Sequence, residues 1–176
     1  MTVGSSESRI AARLRLVEDH VRLENLHDLE GVMSTFGAAA RYDDEPSGDH
    51  RVGRDQVRAY YAEMLSAMPD LKIDVRARHA TESAIVLEVV ISGHHEGAWR
   101  GLPPTGRRVE FPLCAIYSFD ESDRLTGERI YYDRATVLRQ LGVFHEPDKV
   151  LGRVTAVLMH PMTIARIVRR RLLGRR

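Results

Sequence analysis

Between Leu71 and Asp133 the sequence passes through four long segments of strand character joined by short connections. Local connections of this kind favour antiparallel pairing, because a parallel pair needs a crossover of a dozen or more residues. Leu71, Ile73 and Val75 alternate with Lys72, Asp74 and Arg76, the pattern of a half-buried strand. Residues 85–92 are nearly continuously apolar, as in a strand covered on both faces. Val109, Phe111, Leu113, Ala115, Tyr117 and Phe119 share one face of the third segment, and residues 125–132 form the fourth. Pro103-Pro104-Thr105-Gly106 reads as the tight turn between the second and third, since proline fixes φ and glycine accepts a positive one.

The residues ahead of this sheet are helical in pattern. Ile10, Leu14, Val17 and Val21 recur at spacings that place them on one helix face. A second short helix is expected near 28–36, stopped by Gly37, and a short strand at 38–43. Residues 44–53 read as a charged loop. Val57, Tyr60, Tyr61, Met64, Leu65 and Met68 form the clearest helical stripe, ended by Pro69. Helices followed by long, locally connected strands define an α+β chain, with helices covering one face of a curved antiparallel sheet. The mouth of such a cone is a natural small-molecule site. The expected organisation is a disordered stretch over 1–8, the domain over 9–145 and a basic helical tail over 146–176.

One cysteine, Cys114, excludes an internal disulfide framework. No apolar run follows Met1, so a signal peptide is not expected and a cytoplasmic location is the default. The net charge of +1 conceals an asymmetry: residues 149–176 carry eight basic and no acidic residues, leaving 18 basic against 25 acidic, a net −7, in the rest. An acidic body repels phosphates, so nucleic acid is not its expected partner.

Asp133 follows Ile130-Tyr131-Tyr132, where an apolar strand runs into a helix. A carboxylate losing hydration there has a raised pKa and suits general acid/base work; the structural reading is a helix N-cap. His95 shares strand parity with Ile85, Leu87, Val89 and Ile91, so it is expected to face inward and His94 outward. An inward histidine can hold a carbonyl or enolate oxygen, or simply bond a backbone carbonyl. Opposite facing also argues against a metal on the His94–His95 pair. Trp99 is placed to stack on a flat substrate or to lid the core. Tyr61, Tyr117 and Tyr132 are candidate pocket hydroxyls, and Tyr42 and His50 candidates for the rim.

Several of these residues stand in a pattern that resembles a known family. Gly93-His94-His95-Glu96-Gly97, followed by Gly101-Leu102-Pro103-Pro104-Thr105-Gly106-Arg107, is similar to the signature of SnoaL-like polyketide or ester cyclases. Gly53, Met68-Pro69-Asp70-Leu71 and Asp133…Gln140-Leu141-Gly142 match in the same order, over roughly residues 10–143. The resemblance implies a nuclear-transport-factor-2-like cone fold and a homodimer. It also implies cofactor-independent aldol cyclisation of a hydrophobic polyketide-type ester, with Asp133 as acid/base. Alternatives on the same fold are an epoxide hydrolase, a ketosteroid-type isomerase, or a non-catalytic binding or dimerisation module. Phe111-Pro112-Leu113-Cys114-Ala115-Ile116 lacks the Arg-x-Asp that the epoxide hydrolases carry.

The tail lies outside that pattern. Leu151, Val154, Leu158, Ala165, Val168 and Leu172 recur at helical spacing, with Pro161 expected to break the helix. Apolar residues interleaved with arginines suit either peripheral contact with an anionic membrane surface or docking on the acidic body of this or a partner chain.

Overall fold

The computed structural model describes residues 3–146 and 148–173. Helix α1 (Val3–Asn25) and the short α2 (Leu29–Thr35) lead into a hairpin of β1 (Arg41–Asp44) and β2 (Asp49–Val52). Helix α3 (Arg54–Ala67) follows. Four long strands come next, β3 (Lys72–Ala80), β4 (Ala84–His94), β5 (Arg108–Phe119) and β6 (Leu125–Tyr132), and then α4 (Arg134–Gln140). The tail is α5 (Val150–Met159) and α6 (Pro161–Leu173). One six-stranded sheet has the order β2-β1-β6-β5-β4-β3. All neighbours are antiparallel except β1 and β6, which pair in parallel. The architecture is α+β with a curved, unclosed sheet.

Alternation along the strands sets the two faces. Ile85, Leu87, Val89 and Ile91 of β4 are buried against the helices, while Glu88 is exposed on the outer face. Val17 and Val21 of α1, with Val57, Tyr60 and Tyr61 of α3, close the inner side.

Three expectations are corrected. Residues 44–53 are not a loop: Asp44 caps a single 3-10 turn, Glu45–Ser47, and β2 returns along β1 as the sheet edge. Helix α1 begins at Val3 rather than after residue 8, because side chains tie it across the domain. Ser6 donates to Glu82 Oε1 at 2.7 Å, and Arg13 donates to Asp123 at 2.6 Å and to the Glu82 carbonyl at 2.7 Å. The chain reversal between β4 and β5 sits at Arg100-Gly101, not at Pro103–Gly106. Trp99 and Leu102 exchange two backbone hydrogen bonds, and both central residues have positive φ, 50° and 76°. Positive φ at both positions matches the right-handed twist of the flanking chain. The Pro-Pro segment beyond is neither helix nor strand.

The reversal is anchored to the end of α3. The backbone N–H groups of Glu96 and Gly97 both donate to the Ala67 carbonyl at 3.0 Å. A Cβ on Gly97 would meet the Ser66 carbonyl and come within 3.0 Å of Ala67 Cα, both rigid backbone. Gly97→Ala should therefore destabilise the domain by about 1–3 kcal/mol, as overpacking does. Denaturant unfolding of the two proteins measures it.

Candidate active site

The inner face of the sheet, α1 and α3 enclose a recess of about 560 Å³, its mouth included, lined mostly by apolar and aromatic side chains. One row of the sheet forms part of its wall: Tyr42 on β1, Glu128 on β6 and Tyr117 on β5 stand side by side in register. Glu24 comes from α1, and Tyr60 and Met64 from α3. Ile73, Trp99, Leu113 and Tyr132 line it and are only half-buried.

A polar cluster interrupts this apolar wall. Glu24, Glu128 and His20 are all at least 96% buried. The Tyr61 hydroxyl donates to Glu128 Oε2 at 2.5 Å, and His20 Nε2 lies 3.1 Å from the Tyr61 oxygen and 3.4 Å from Glu128 Oε2. Thr35 donates its own hydroxyl proton to the Val32 carbonyl, so its oxygen accepts from His20 Nδ1 at 2.8 Å. The Thr35 and Tyr61 oxygens thus hold the two ring nitrogens of His20, and its Nε2 edge faces both carboxylates.

Glu24 is the carboxylate left over. Its nearest charged partner is His20 Nε2 at 3.7 Å, and it makes no hydrogen bond among the described residues. Burial, reinforced by repulsion from Glu128, pushes its pKa well above the usual carboxylate range. Burial and the charge on Glu128 also hold the Tyr117 and Tyr61 hydroxyls protonated, and burial with Tyr60 does the same for Tyr42. These groups serve as donors, not bases.

A second buried carboxylate braces the mouth. Asp44 accepts from Arg100 at 2.8 Å, from Tyr132 at 3.3 Å and from Tyr60 at 3.5 Å. The Arg100 guanidinium also lies over the Trp99 and Tyr60 rings, 5.5 and 5.8 Å from their centroids. The β4–β5 reversal is thereby clamped beside the recess with Trp99 in its wall.

The residues singled out in the sequence are dispersed relative to this recess. Tyr42, Trp99, Tyr117 and Tyr132 line it. Tyr61 stands behind Glu128 rather than in the wall. His50 is outside: it faces Asp43 across the β1–β2 ladder and bonds it at 2.7 Å on the outer face. His95 is buried just beyond β4, and its Nδ1 accepts from the Thr105 backbone N–H at 3.3 Å. Desolvation lowers its pKa, and its Nε2 has no partner among the described residues. His94 is exposed and bonded to Asp70.

Asp133 requires the main correction. Its carboxylate is 59% exposed and accepts from the Ala135 backbone N–H at 2.9 Å and from the Thr136 hydroxyl. The Thr136 hydrogen bonds, and then that of Ala135, hold its pKa below the usual value rather than above it. The strand ends one residue too early to bury it, and it caps α4.

Sequence reading passed over His20, Glu24 and Glu128. The signal was present: His20 and Glu24 fall on the same helical stripe as Val17 and Val21, and Glu128 shares parity with Ile130 and Tyr132. Polar residues at apolar positions mark a buried polar group that needs a reason. Two sets of side chains have ligand atoms within 4.8 Å of one another, as a metal would need: His20, Glu24 and Glu128, and Asp43, Glu45 and His50. In the second set Arg41 and Arg129 already neutralise Asp43. The first is a donor set able to hold a divalent cation.

Residues 13–141 match the model of a protein family described as SnoaL-like polyketide cyclase. The chain belongs to that family. It is similar to the crystal structure of AclR from Streptomyces galilaeus, named as a hydroxylase, with 24% identity over 85% of this chain and 97% of that one, at a TM-score of 0.68. It is also similar to a protein of Xanthomonas campestris pv. campestris named as a polyketide cyclase: 17% identity, 76% of this chain and 98% of that one, TM-score 0.68. These likenesses establish the fold alone. A curated relative, the tRNA-2-methylthio-N(6)-dimethylallyladenosine synthase of Roseiflexus sp. (strain RS-1), is 26% identical over 157 residues. That alignment takes in 88% of this chain but only 30% of the relative's length.

The cluster has a measurable pH signature. Between the ordinary glutamate value of about 4.3 and the raised folded value, the folded chain holds a proton on Glu24 that the unfolded chain has released. Stability therefore falls as pH rises through that window. Glu24→Gln cannot release this proton. It should melt above the wild type at about pH 8, and the difference should vanish toward about pH 4, as thermal unfolding across pH would show.

Proposed function

We propose that this protein catalyses proton transfer beside a carbonyl in its apolar recess, closing a ring by intramolecular aldol addition in a polyketide-type ester. The observation that carries this reading is Glu24, a buried carboxylate of raised pKa that lines the recess and has no hydrogen-bond partner among the described residues. A carboxylate with a raised pKa is better matched to a carbon acid than an ordinary one, and proton transfer is most efficient near matched values.

The step balances without another reactant. Ionised Glu24 takes a proton from the carbon between two carbonyls, leaving an enolate. The enolate carbon bonds to a second carbonyl carbon of the same chain, whose oxygen becomes an alkoxide. That alkoxide takes the proton back from Glu24. The protonated hydroxyls of Tyr42 and Tyr117, on either side of Glu128 in the sheet, would donate to the enolate oxygen. Burial and repulsion from Glu128 keep the Glu24 pKa raised, and His20 and Tyr61 hold Glu128 in place. His95, outside the lining, supports the Thr105 segment.

The inner face of β5 offers Phe111, Leu113 and Ala115 to the recess. It carries no Arg-x-Asp pair for opening an epoxide, which favours ring closure over that alternative.

A thermal-shift panel of aromatic polyketides, steroids and terpenoid epoxides identifies the ligand class, since a ligand that binds the folded state raises the melting temperature. Chromatography of an open-chain polyketide methyl ester then follows ring closure. Glu24→Gln should lower kcat by about 10²–10⁴-fold, whereas Asp133→Asn should leave it within a few-fold. Wild-type turnover in Glu24→Gln would remove Glu24 from the mechanism. Loss of turnover on chelation, restored by a divalent ion, would assign the cluster to metal chemistry instead.

A further inference from the structure

Helices α5 and α6 stand apart from the domain in both burial and charge. They contact each other more than any other element. Nine of their large apolar side chains, from Val150 to Leu172, are between 45% and 79% exposed. On α5 these recur at three- and four-residue spacing, as in Val150, Val154, Val157 and Leu158, and so share one face. Pro161 stands at the first position of α6, where its missing N–H costs nothing, and divides the segment into two short helices. Arg166, Arg169, Arg170 and Arg171 follow on α6, all exposed. No acidic residue occurs between Lys149 and Arg176.

A partner for this surface must offer an apolar phase and negative charge together. The domain is acidic but has no matching apolar patch. Elsewhere among the described residues the exposed large apolar side chains are Leu26, Val52, Tyr131 and Val143, one each on the turn after α1, β2, β6 and the segment after α4. The domain of a second copy would meet the arginines and leave the apolar stripe in water, as would an RNA, and the tail of a second copy would cover the stripe only by setting arginines beside arginines. An anionic lipid bilayer meets both, with its headgroups against the arginines and its acyl boundary against the stripe. No helix among the described residues is long and apolar enough to cross a membrane. We infer that α5 and α6 lie flat on an anionic bilayer surface and hold the domain against it.

The test is co-sedimentation of the full-length chain with vesicles of phosphatidylcholine alone and of phosphatidylcholine with phosphatidylserine. Binding to the anionic vesicles should exceed binding to the neutral ones by at least tenfold. It should fall by at least tenfold between about 0.1 M and about 1 M salt, where the screening length shrinks from about 10 Å to about 3 Å. Replacing Arg169, Arg170 and Arg171 together by glutamate should remove the salt-sensitive part. Leu158→Asp with Met162→Asp should abolish binding. All five side chains are exposed, so the melting temperature of the domain should not move; that measurement separates lost docking from lost fold. Equal binding to neutral vesicles would overturn the inference. So would no binding at any salt, accompanied either by a dimer that the Leu158→Asp variant dissociates or by a shift of labelled RNA.

Discussion

Burying Glu24 and Glu128 in one apolar recess costs hydration that His20, Tyr61 and Tyr117 offset only in part. Two charges of the same sign in a low-dielectric site repel strongly, and the one imidazole beside them does not serve both alike. The protein resolves the imbalance asymmetrically. Glu128 accepts the Tyr61 hydroxyl and lies nearer His20 Nε2, at 3.4 Å against 3.7 Å for Glu24. Glu24 is left to hold a proton. That asymmetry turns a structural pair into a site with one responsive member, and that member faces the recess.

Holding the asymmetry requires four elements to keep their places. His20 and Glu24 are one helical turn apart on α1, Tyr61 is on α3, Thr35 is the last residue of α2 and Glu128 is on β6. The Thr35 hydroxyl is committed to the Val32 carbonyl, which leaves its oxygen to orient the imidazole. A group held this way contributes by positioning, and a small displacement of any element would change which carboxylate carries the proton. The mouth has its own brace in the Arg100–Asp44 pair. It ties the Trp99 reversal to the end of β1 through a guanidinium that also covers two aromatic rings.

The sheet was largely legible in the sequence because strand alternation is a local signal: each residue's face depends on its parity within its own strand. The inner row of β4, the stripe of α3 and the break after Met68 follow from it. His95 illustrates how far parity reaches. It is buried as its odd position requires, yet β4 has ended by then, and it lies beside Thr105 rather than in the lining of the recess. The turn was placed at the wrong residues because Pro103-Pro104 resembles a turn in composition. Arg100-Gly101 supplies the two consecutive positive φ values that the reversal needs. Asp133 was read from its apolar neighbours. Sequence neighbours do not desolvate a side chain when the strand stops and the next helix turns its first residue outward.

The sequence by itself determined the α+β order, the faces of the strands, the helical stripes and the separation of an acidic body from a basic tail, since each is a matter of spacing or composition along the chain. It also carried the family pattern over roughly residues 10–143. Only the tertiary structure decided which carboxylate matters. Glu24 and Glu128 are 104 positions apart, and neither is unusual among its chain neighbours beyond occupying an inward position. Their pairing depends on α1 packing on the face of the sheet from which Glu128 projects, with His20 between the two carboxylates, and the raised pKa of Glu24 on the water that this packing excludes. Desolvation and charge repulsion act through space, and one-dimensional spacing records neither.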